Sequence, residues 1–312
     1  MVKYIAKRLL LATVTIFVIT FILYLMLDLM PGSPFNDEKL TEAQKAVLYQ
    51  KYGLDQPFII KFKNFLVRVF TKFDFGVSYN ILKNADITTM LADRAPISLR
   101  IGVQSILIGS ITGLLLGIIA ALKHNTWMDT VATVFSVIGV SVPAFVFALG
   151  LVYFIGFKLR ILPLSYDPST PFTSSILPSI SLSMMTMATV ARFSRSEMLD
   201  VLNSDYMLLA ESKGLPKRVL IFRHALRNAL IPIITVLGPL VASVLTGSLV
   251  VERIFSVNGV GSLLVQAIQG NDYNVTVACA LIYSTLYIVV MLVIDILYGV
   301  IDPRIRLAKG GE

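Results

Sequence analysis

The stretch Leu9–Leu27, LLLATVTIFVITFILYLML, runs without a single charged residue. Such a run admits few folds. Crossing about 30 Å of hydrocarbon takes about 20 mostly apolar residues in a helix, because lipid cannot hydrogen-bond an exposed backbone. Lys3, Lys7 and Arg8 precede the run, as in a signal peptide. It exceeds a typical h-region of about 7–15 residues, and Met30-Pro31-Gly32-Ser33-Pro34 follows as a helix stop rather than an A-x-A-like cleavage site. The segment is therefore read as an uncleaved anchor with its N-terminus inside.

Five further spans are expected. The second, Ile97–Leu122, carries Gly102, Gly109, Gly113 and Gly117, small residues that suit close helix packing in a bilayer, and Arg100 must snorkel from its end. The third, Val131–Phe157, is interrupted by Pro143. The fourth, Ile176–Ala191, is short and rich in Ser and Met. The fifth, Ala229–Val251, has Pro232 and Pro239 near its start, and the sixth, Val275–Val300, carries Asp295. Composition agrees: 56% of residues are hydrophobic and 15% charged, against roughly a quarter charged in soluble domains. The expected fold is all-α and integral to the membrane, with about six transmembrane helices.

The net charge of +8 would suggest nucleic acid in a soluble protein. Here it sorts by side. Placing the N-terminus inside puts Lys3, Lys7, Arg8, Lys123, Arg192, Arg195, Lys213, Lys217, Arg218, Arg223, Arg227, Arg304, Arg306 and Lys309 in cytoplasmic segments. Only Lys158, Arg160 and Arg253 fall in short external loops. That asymmetry is the positive-inside pattern, so both termini are expected in the cytoplasm and no nucleic-acid partner is expected. The one cysteine, Cys279, sits in an apolar run and reads as a small buried hydrophobe.

Segment 31–95 reads as an external excursion with helices of its own. Thr41-Glu42-Ala43-Gln44 has the pattern of a capping box, and Gly53 ends that helix after Tyr52. Pro57 opens an amphipathic helix over Phe58–Phe70. It is either a small cap packed on the outer membrane surface or a docking surface for an external partner, and the two are compatible. No G-x-x-x-x-G-K-[ST] sequence, metal-spaced His/Cys cluster or distinguishable catalytic triad occurs. The chain is thus read as non-catalytic, without a cofactor or metal of its own.

The longest cytoplasmic segment, 192–228, has punctuation of its own. Asn203 or Ser204 can cap a short helix that starts at Asp205, an acid at the positive end of the helix dipole. Lys213 falls in its last turn, Gly214 supplies the left-handed residue after it, and Pro216 prevents continuation. A basic helix from Lys217 then runs into the fifth span. The product is a short lever with a Gly214-Leu215-Pro216 corner.

Asp205-Tyr206-x-x-x-Ala210-x-x-Lys213-Gly214-Leu215, with His224-Ala225-Leu226-Arg227-Asn228-Ala229-Leu230-Ile231-Pro232, resembles the coupling-loop signature of binding-protein-dependent ABC permeases. More narrowly it resembles the B-type subunit of the oligopeptide/dipeptide/nickel branch. The general pattern is Glu-Ala-Ala-x3-Gly-x9-Ile-x-Leu-Pro. Here Leu208-Leu209-Ala210, His224 and Arg227 depart from it as that branch does. Supporting strings are Pro31-Gly32-Ser33-Pro34-Phe35, Tyr52-Gly53-Leu54-Asp55-Gln56-Pro57, Asp74-Phe75-Gly76-x-Ser78, Val251-Glu252-x-Ile254-Phe255-Ser256-x-x-Gly259-x-Gly261, Asn271-Asp272 and Asp302-Pro303-Arg304.

The resemblance implies a type I ABC importer permease in the bacterial cytoplasmic membrane. It would pair with a second homologous permease subunit, two ATPase subunits that hold ATP and Mg, and an external peptide-binding protein. Asp205, Tyr206, Ala210, Glu211, Lys213, Gly214, Leu215, Arg218 and His224 would form the ATPase-coupling site. Oligopeptides or dipeptides are the expected cargo. The alternatives are nickel or another small solute, and a secondary transporter, for which Asp295 is a poor intramembrane acid and no internal repeat is evident. Asp295 reads as structural, close enough to the inner end to pair with Arg304. Met184, Met185 and Met187 read as helix packing. Arg192 and Arg195 fit either a gate at the inner mouth or plain anchoring. Arg253–Asn271 is expected to hold a helix that partly re-enters the outer leaflet.

Overall fold

The computed structural model describes residues 2–29, 35, 41–246 and 249–301. The strings Pro31–Pro34 and Asp302-Pro303-Arg304, and hence a pairing of Asp295 with Arg304, lie outside them. The helices are α1 (Val2–Leu29), α2 (Glu42–Tyr52), α3 (Phe58–Lys72), α4 (Ile87–Leu122), α5 (Trp127–Ser141), α6 (Ala144–Leu151) and α7 (Pro171–Ser174). They continue with α8 (Ile176–Leu202), α9 (Asp205–Ser212), α10 (Lys217–Val219), α11 (Leu226–Thr246), α12 (Leu249–Ile254), α13 (Val260–Gln269) and α14 (Tyr273–Ile301). Among the described residues there is no strand, only an isolated bridge between Val77 and Asp86. Among the described residues, five helices are long and apolar enough to span a membrane, or six if α5 and α6 with its π-helical extension count as one.

Several boundaries differ from the sequence expectation. The second span begins at Ile87 rather than Ile97, because Pro96 is accommodated inside the helix. Asp86 caps that start, accepting from the Thr88 and Thr89 backbone N–H groups at 3.3 and 3.1 Å and from the Thr89 hydroxyl at 2.9 Å. Burial pushes the Asp86 carboxyl pKa up, and the Thr89 and Thr88 bonds outweigh it and leave the group below its ordinary value. The third span is broken. After Val142, Pro143 cannot continue the ladder, and Trp127–Ser141 and Ala144–Lys158 meet at 107°. The fourth does not stop at Ala191, since α8 runs on to Leu202. The fifth is helical over Leu226–Thr246 and again over Leu249–Ile254, with residues 247–248 outside the described ones.

The chain forms two compact units. One comprises Met1–Ser98 and Asn258–Leu292, the other Leu99–Val257 and Val293–Glu312. In the first, the expected capping box is present: the Gln44 N–H donates to Thr41 Oγ1 and the Thr41 N–H to Gln44 Oε1. Gly53 closes α2 with φ of 66°. α3 buries Phe62, Phe65 and Val69, packing on Tyr24 and Leu27 of α1 and on Val277 and Leu281 of α14. The Arg253–Asn271 segment contains α13, with Gly259 at its N-cap, and the Val260 N–H donates to Ser98 Oγ at 2.9 Å.

Asp272, fully buried just before α14, staples this unit together. Its Oδ2 accepts from Ser78 Oγ at 2.6 Å and from the backbone N–H groups of Tyr79, Asn80 and Ile81 at 3.0, 2.9 and 3.2 Å. Three successive N–H groups around one oxygen form an anion nest, occupied here by the chain's own carboxylate. Asp272→Ala strands these donors. It should destabilise the unit by about 3 kcal/mol or more, at about 1–3 kcal/mol per buried orphan, whereas Asp272→Asn keeps an acceptor and loses less. Thermal unfolding of the purified complex measures the difference.

In the second unit, α8 is the central element, contacting α5, α6 and α11. Gly109, Gly113 and Gly117 of the second span lie against it, as their type suggested. A Cβ on Gly113 would meet Met187 O at 2.5 Å, one on Gly117 Ala191 O at 2.5 Å, and one on Gly109 Thr186 Cβ at 2.8 Å. On α5, a Cβ on Gly139 would meet Ala188 Cβ at 2.7 Å. In lipid, where no hydrophobic effect draws helices together, such close approach supplies the van der Waals contact that does. Met184 and Met187 are buried in this packing, and Met185 is half exposed.

Candidate coupling site

The site is built on the chain reversal that follows α8. Asn203 ends that helix, its N–H bonded to Leu199 O at 3.1 Å. Ser204 is extended (φ −78°, ψ 151°) and takes the N-cap position of α9, with Asp205 in the first turn. Its hydroxyl does not cap α9, contrary to the sequence expectation. It turns back and donates to Val201 O at 2.5 Å, serving the end of α8 instead.

α9 is two-faced. Met207 and Ala210 are buried, while Asp205, Tyr206, Leu208, Leu209, Glu211 and Ser212 are exposed. The buried pair enters a cluster with Met198 of α8, Leu220 and Ala225 of the next turn, and Ala229 and Ile233 of α11, against which Leu215 also packs. Tyr206 reaches the same helix differently, as Asn228 Nδ2 donates to its hydroxyl at 3.2 Å. Leu208 and Leu209, 57% and 58% exposed, form an apolar surface that nothing in this chain covers among the described residues.

The corner has the expected geometry. Lys213 is the C-cap residue rather than part of the last turn, and its N–H bonds to Leu209 O at 3.2 Å. Gly214 has φ of 74°, with its N–H on Glu211 O at 2.9 Å. A Cβ there would meet no atom within 4 Å, so the left-handed backbone alone requires glycine. Pro216 then starts α10, and Leu220–Ala225 continues as a π-helical stretch into α11. His224 lies half-buried in that stretch, and Arg218 is exposed on α10. Thus Tyr206, Ala210 and Leu215 come together on the spans, while Asp205, Glu211, Lys213 and Arg218 face away from the buried cluster.

A second constellation holds the same helices, and sequence reasoning missed it. Asp129, in the first turn of α5 and 4% exposed, accepts from Arg195 Nε at 2.5 Å and Nη2 at 2.8 Å. It also accepts from the Asn125 N–H at 3.0 Å and lies 3.1 Å from His124 Nδ1. Arg195 is therefore committed to an ion pair that fixes α8 to α5, about two turns before the end of α8, and is not a free gate. The available signal was an acid three residues after Thr126 at a helix start. Its partner, 66 residues away, left no local trace. Asp129→Ala leaves the guanidinium without its carboxylate and should cost roughly 3–5 kcal/mol. The expected readout is a lower melting temperature and reduced uptake, partly recovered by adding Arg195→Met.

The family model described as "binding-protein-dependent transport system inner membrane component" matches residues 113–307, which include both constellations. The chain belongs to that family. The N-terminal model of such membrane components matches residues 1–102. The dipeptide transport system permease protein of Lactococcus lactis subsp. cremoris is 41% identical over 98% of this chain and all of its own length. That of Bacillus subtilis is also 41% identical, over all of both chains. The oligopeptide transport system permease protein of Salmonella typhimurium is 36% identical over 98% of this chain and all of its own length. A crystal structure of an amino acid ABC transporter covers 68% of this chain and 94% of its own, with a TM-score of 0.54 and 16% identity, and so shares the fold. As a member of this family, the chain is a multi-pass permease subunit of the bacterial inner membrane and works in a complex with an ATPase and a substrate-binding protein.

Proposed function

We propose that this chain is one of two homologous permease subunits of an ATP-driven importer for dipeptides or oligopeptides, and that α9 is its coupling helix. The peptide permeases among the relatives support the cargo. The observation that carries the coupling role is the two-faced α9: Met207 and Ala210 are packed into α8 and α11, and Leu208 and Leu209 are left bare. An ATPase groove covers the bare face.

Both termini and segment 192–228 lie in the cytoplasm, by the distribution of basic residues, and segment 31–95 lies outside. ATP binding closes the two ATPase subunits, which hold ATP and Mg. The displacement of α9 passes through Met207, Ala210 and the Tyr206–Asn228 bond into α8 and α11 and opens the path outward. Hydrolysis resets it. This chain supplies no catalytic group. Its role is differential, since the docked helix is held in both states while the spans rearrange. Asp205, Glu211, Lys213 and Arg218 contribute charges to the docking face. Peptide uptake by the complex in proteoliposomes should require ATP together with the binding protein. Uptake driven by an ion gradient without ATP would refute the assignment.

A further inference from the structure

α3, FIIKFKNFLVRVFTK, carries Lys61, Lys63, Arg68 and Lys72 and no acidic residue. At about 100° per residue it has three flanks rather than two. The first is buried on α1 and α14 through Phe62, Phe65 and Val69. The rings of Phe17 and Phe62 lie 5.9 Å apart, those of Phe21 and Phe58 5.6 Å, and those of Tyr24 and Phe65 5.3 Å. The second flank is apolar and bare: Ile59, Ile60, Val67 and Phe70 are 76%, 45%, 50% and 65% exposed, with Phe73 just beyond at 74%. The third holds Lys61, Asn64 and Arg68, which border a cavity of about 350 Å³ with Tyr24, Tyr79 and Asn274.

We propose that α3 lies in the membrane plane and that this polar flank binds the headgroup phosphate of an anionic phospholipid. Two observations favour lipid over a protein partner. The bare flank belongs to a helix packed on residues 16–27 of α1, and α1 has the length and apolarity of a membrane span, with Leu10, Met26 and Leu29 exposed. It therefore adjoins a helix whose own exposed surface is apolar. The charge on the helix is entirely positive, which matches anionic headgroups at the boundary where basic amphipathic helices settle. Lys63, within the apolar flank, snorkels outward along its stem.

The cavity supplies the remaining contacts. Lys61 pairs with Asp28, and among the described residues no carboxylate forms an ion pair with Arg68. Arg68 is thus the guanidinium for the phosphate. Burial pushes the Tyr79 phenol pKa up, so it stays a neutral donor, and the Asn274 amide lies beside it. The volume is at the small end of the ~300–1,000 Å³ range of small-ligand sites. It suits a phosphoglycerol headgroup whose chains leave through the open side.

Two experiments on the assembled complex in nanodiscs decide the matter. Phe70→Trp is made in a Trp127→Phe background, which removes the chain's single natural tryptophan. Phosphatidylcholine brominated near the headgroup end of its chains should quench the new tryptophan several-fold more than aqueous iodide does. The reverse order places α3 in water and overturns the proposal. The complex is also titrated with phosphatidylglycerol, phosphatidylcholine and inorganic phosphate. Phosphatidylglycerol should bind preferentially. Arg68→Gln should weaken it about five-fold, the equivalent of about 1 kcal/mol per basic residue, and Arg68→Lys should recover most of this. Equal binding of both lipids, full competition by inorganic phosphate, or an unchanged Arg68→Gln titration each overturns it. If Arg68→Gln fails to assemble, the wild-type preference between the two lipids decides alone.

Discussion

Gly214→Val should leave the importer assembled and reduce peptide uptake about 10- to 100-fold. The cause is conformational rather than steric. Residue 214 sits at φ of 74° with no atom within 4 Å of an added Cβ, yet a β-branched residue in the left-handed region costs about 1–3 kcal/mol. The chain escapes that strain by rotating the Gly214-Leu215-Pro216 corner, which redirects α10 and pulls Leu215 from the cluster that binds α9 to α11. The helix can still meet the ATPase, but its movement no longer reaches the spans. Gly214→Asn is the informative control, since asparagine tolerates this conformation and should retain most of the uptake. ATP hydrolysis measured in the same vesicles separates uncoupling from loss of assembly. Hydrolysis should persist in the valine variant while uptake falls.

Gly113→Leu should fail earlier, at assembly. The first added carbon would lie 2.5 Å from Met187 O and 2.9 Å from Val190 Cβ, so α4 and α8 must separate along the Gly109, Gly113 and Gly117 line. Overpacking alone costs about 1–3 kcal/mol. A clash with backbone that cannot rotate away exceeds that range, and separation also forfeits the contacts that hold helices together in lipid. Little intact complex should elute on size exclusion. Gly150→Leu, where no atom lies within 4 Å of the new Cβ, should behave as wild type. An intact, active Gly113→Leu complex would contradict this packing.

The coupling helix was legible in sequence because its signals are local. An acid in the first turn, a glycine after the last and a proline beyond the corner need no knowledge of the rest of the chain. The glycines of α4 were legible for the same reason, as small residues four apart mark one helix face. Distant pairing was not legible. In sequence Arg195 fits a gate or a cytoplasmic anchor after an apolar run that fades at Ala191. Paired with Asp129, it sits inside a helix that continues to Leu202. Likewise Asp93, Arg94 and Pro96 obscured the start of α4 at Ile87. Pro143 announced a break in the third span, but its 107° angle depends on how α5 and α6 each pack against α8. Asn271-Asp272 could be recognised as a motif, yet the nest that Asp272 fills comes from residues nearly two hundred positions earlier.

The coupling role requires the bare face of α9 to meet an ATPase subunit. The direct measurement is site-specific cross-linking in the assembled complex, with the natural cysteine removed by Cys279→Ala. Leu209→Cys, labelled with a maleimide–benzophenone that inserts into neighbouring C–H bonds on irradiation, should form a covalent adduct with the ATPase subunit, with and without nucleotide. Ile59→Cys on α3 should form none. Failure of Leu208→Cys, Leu209→Cys and Glu211→Cys alike to reach the ATPase in any nucleotide state would contradict the coupling role of this helix.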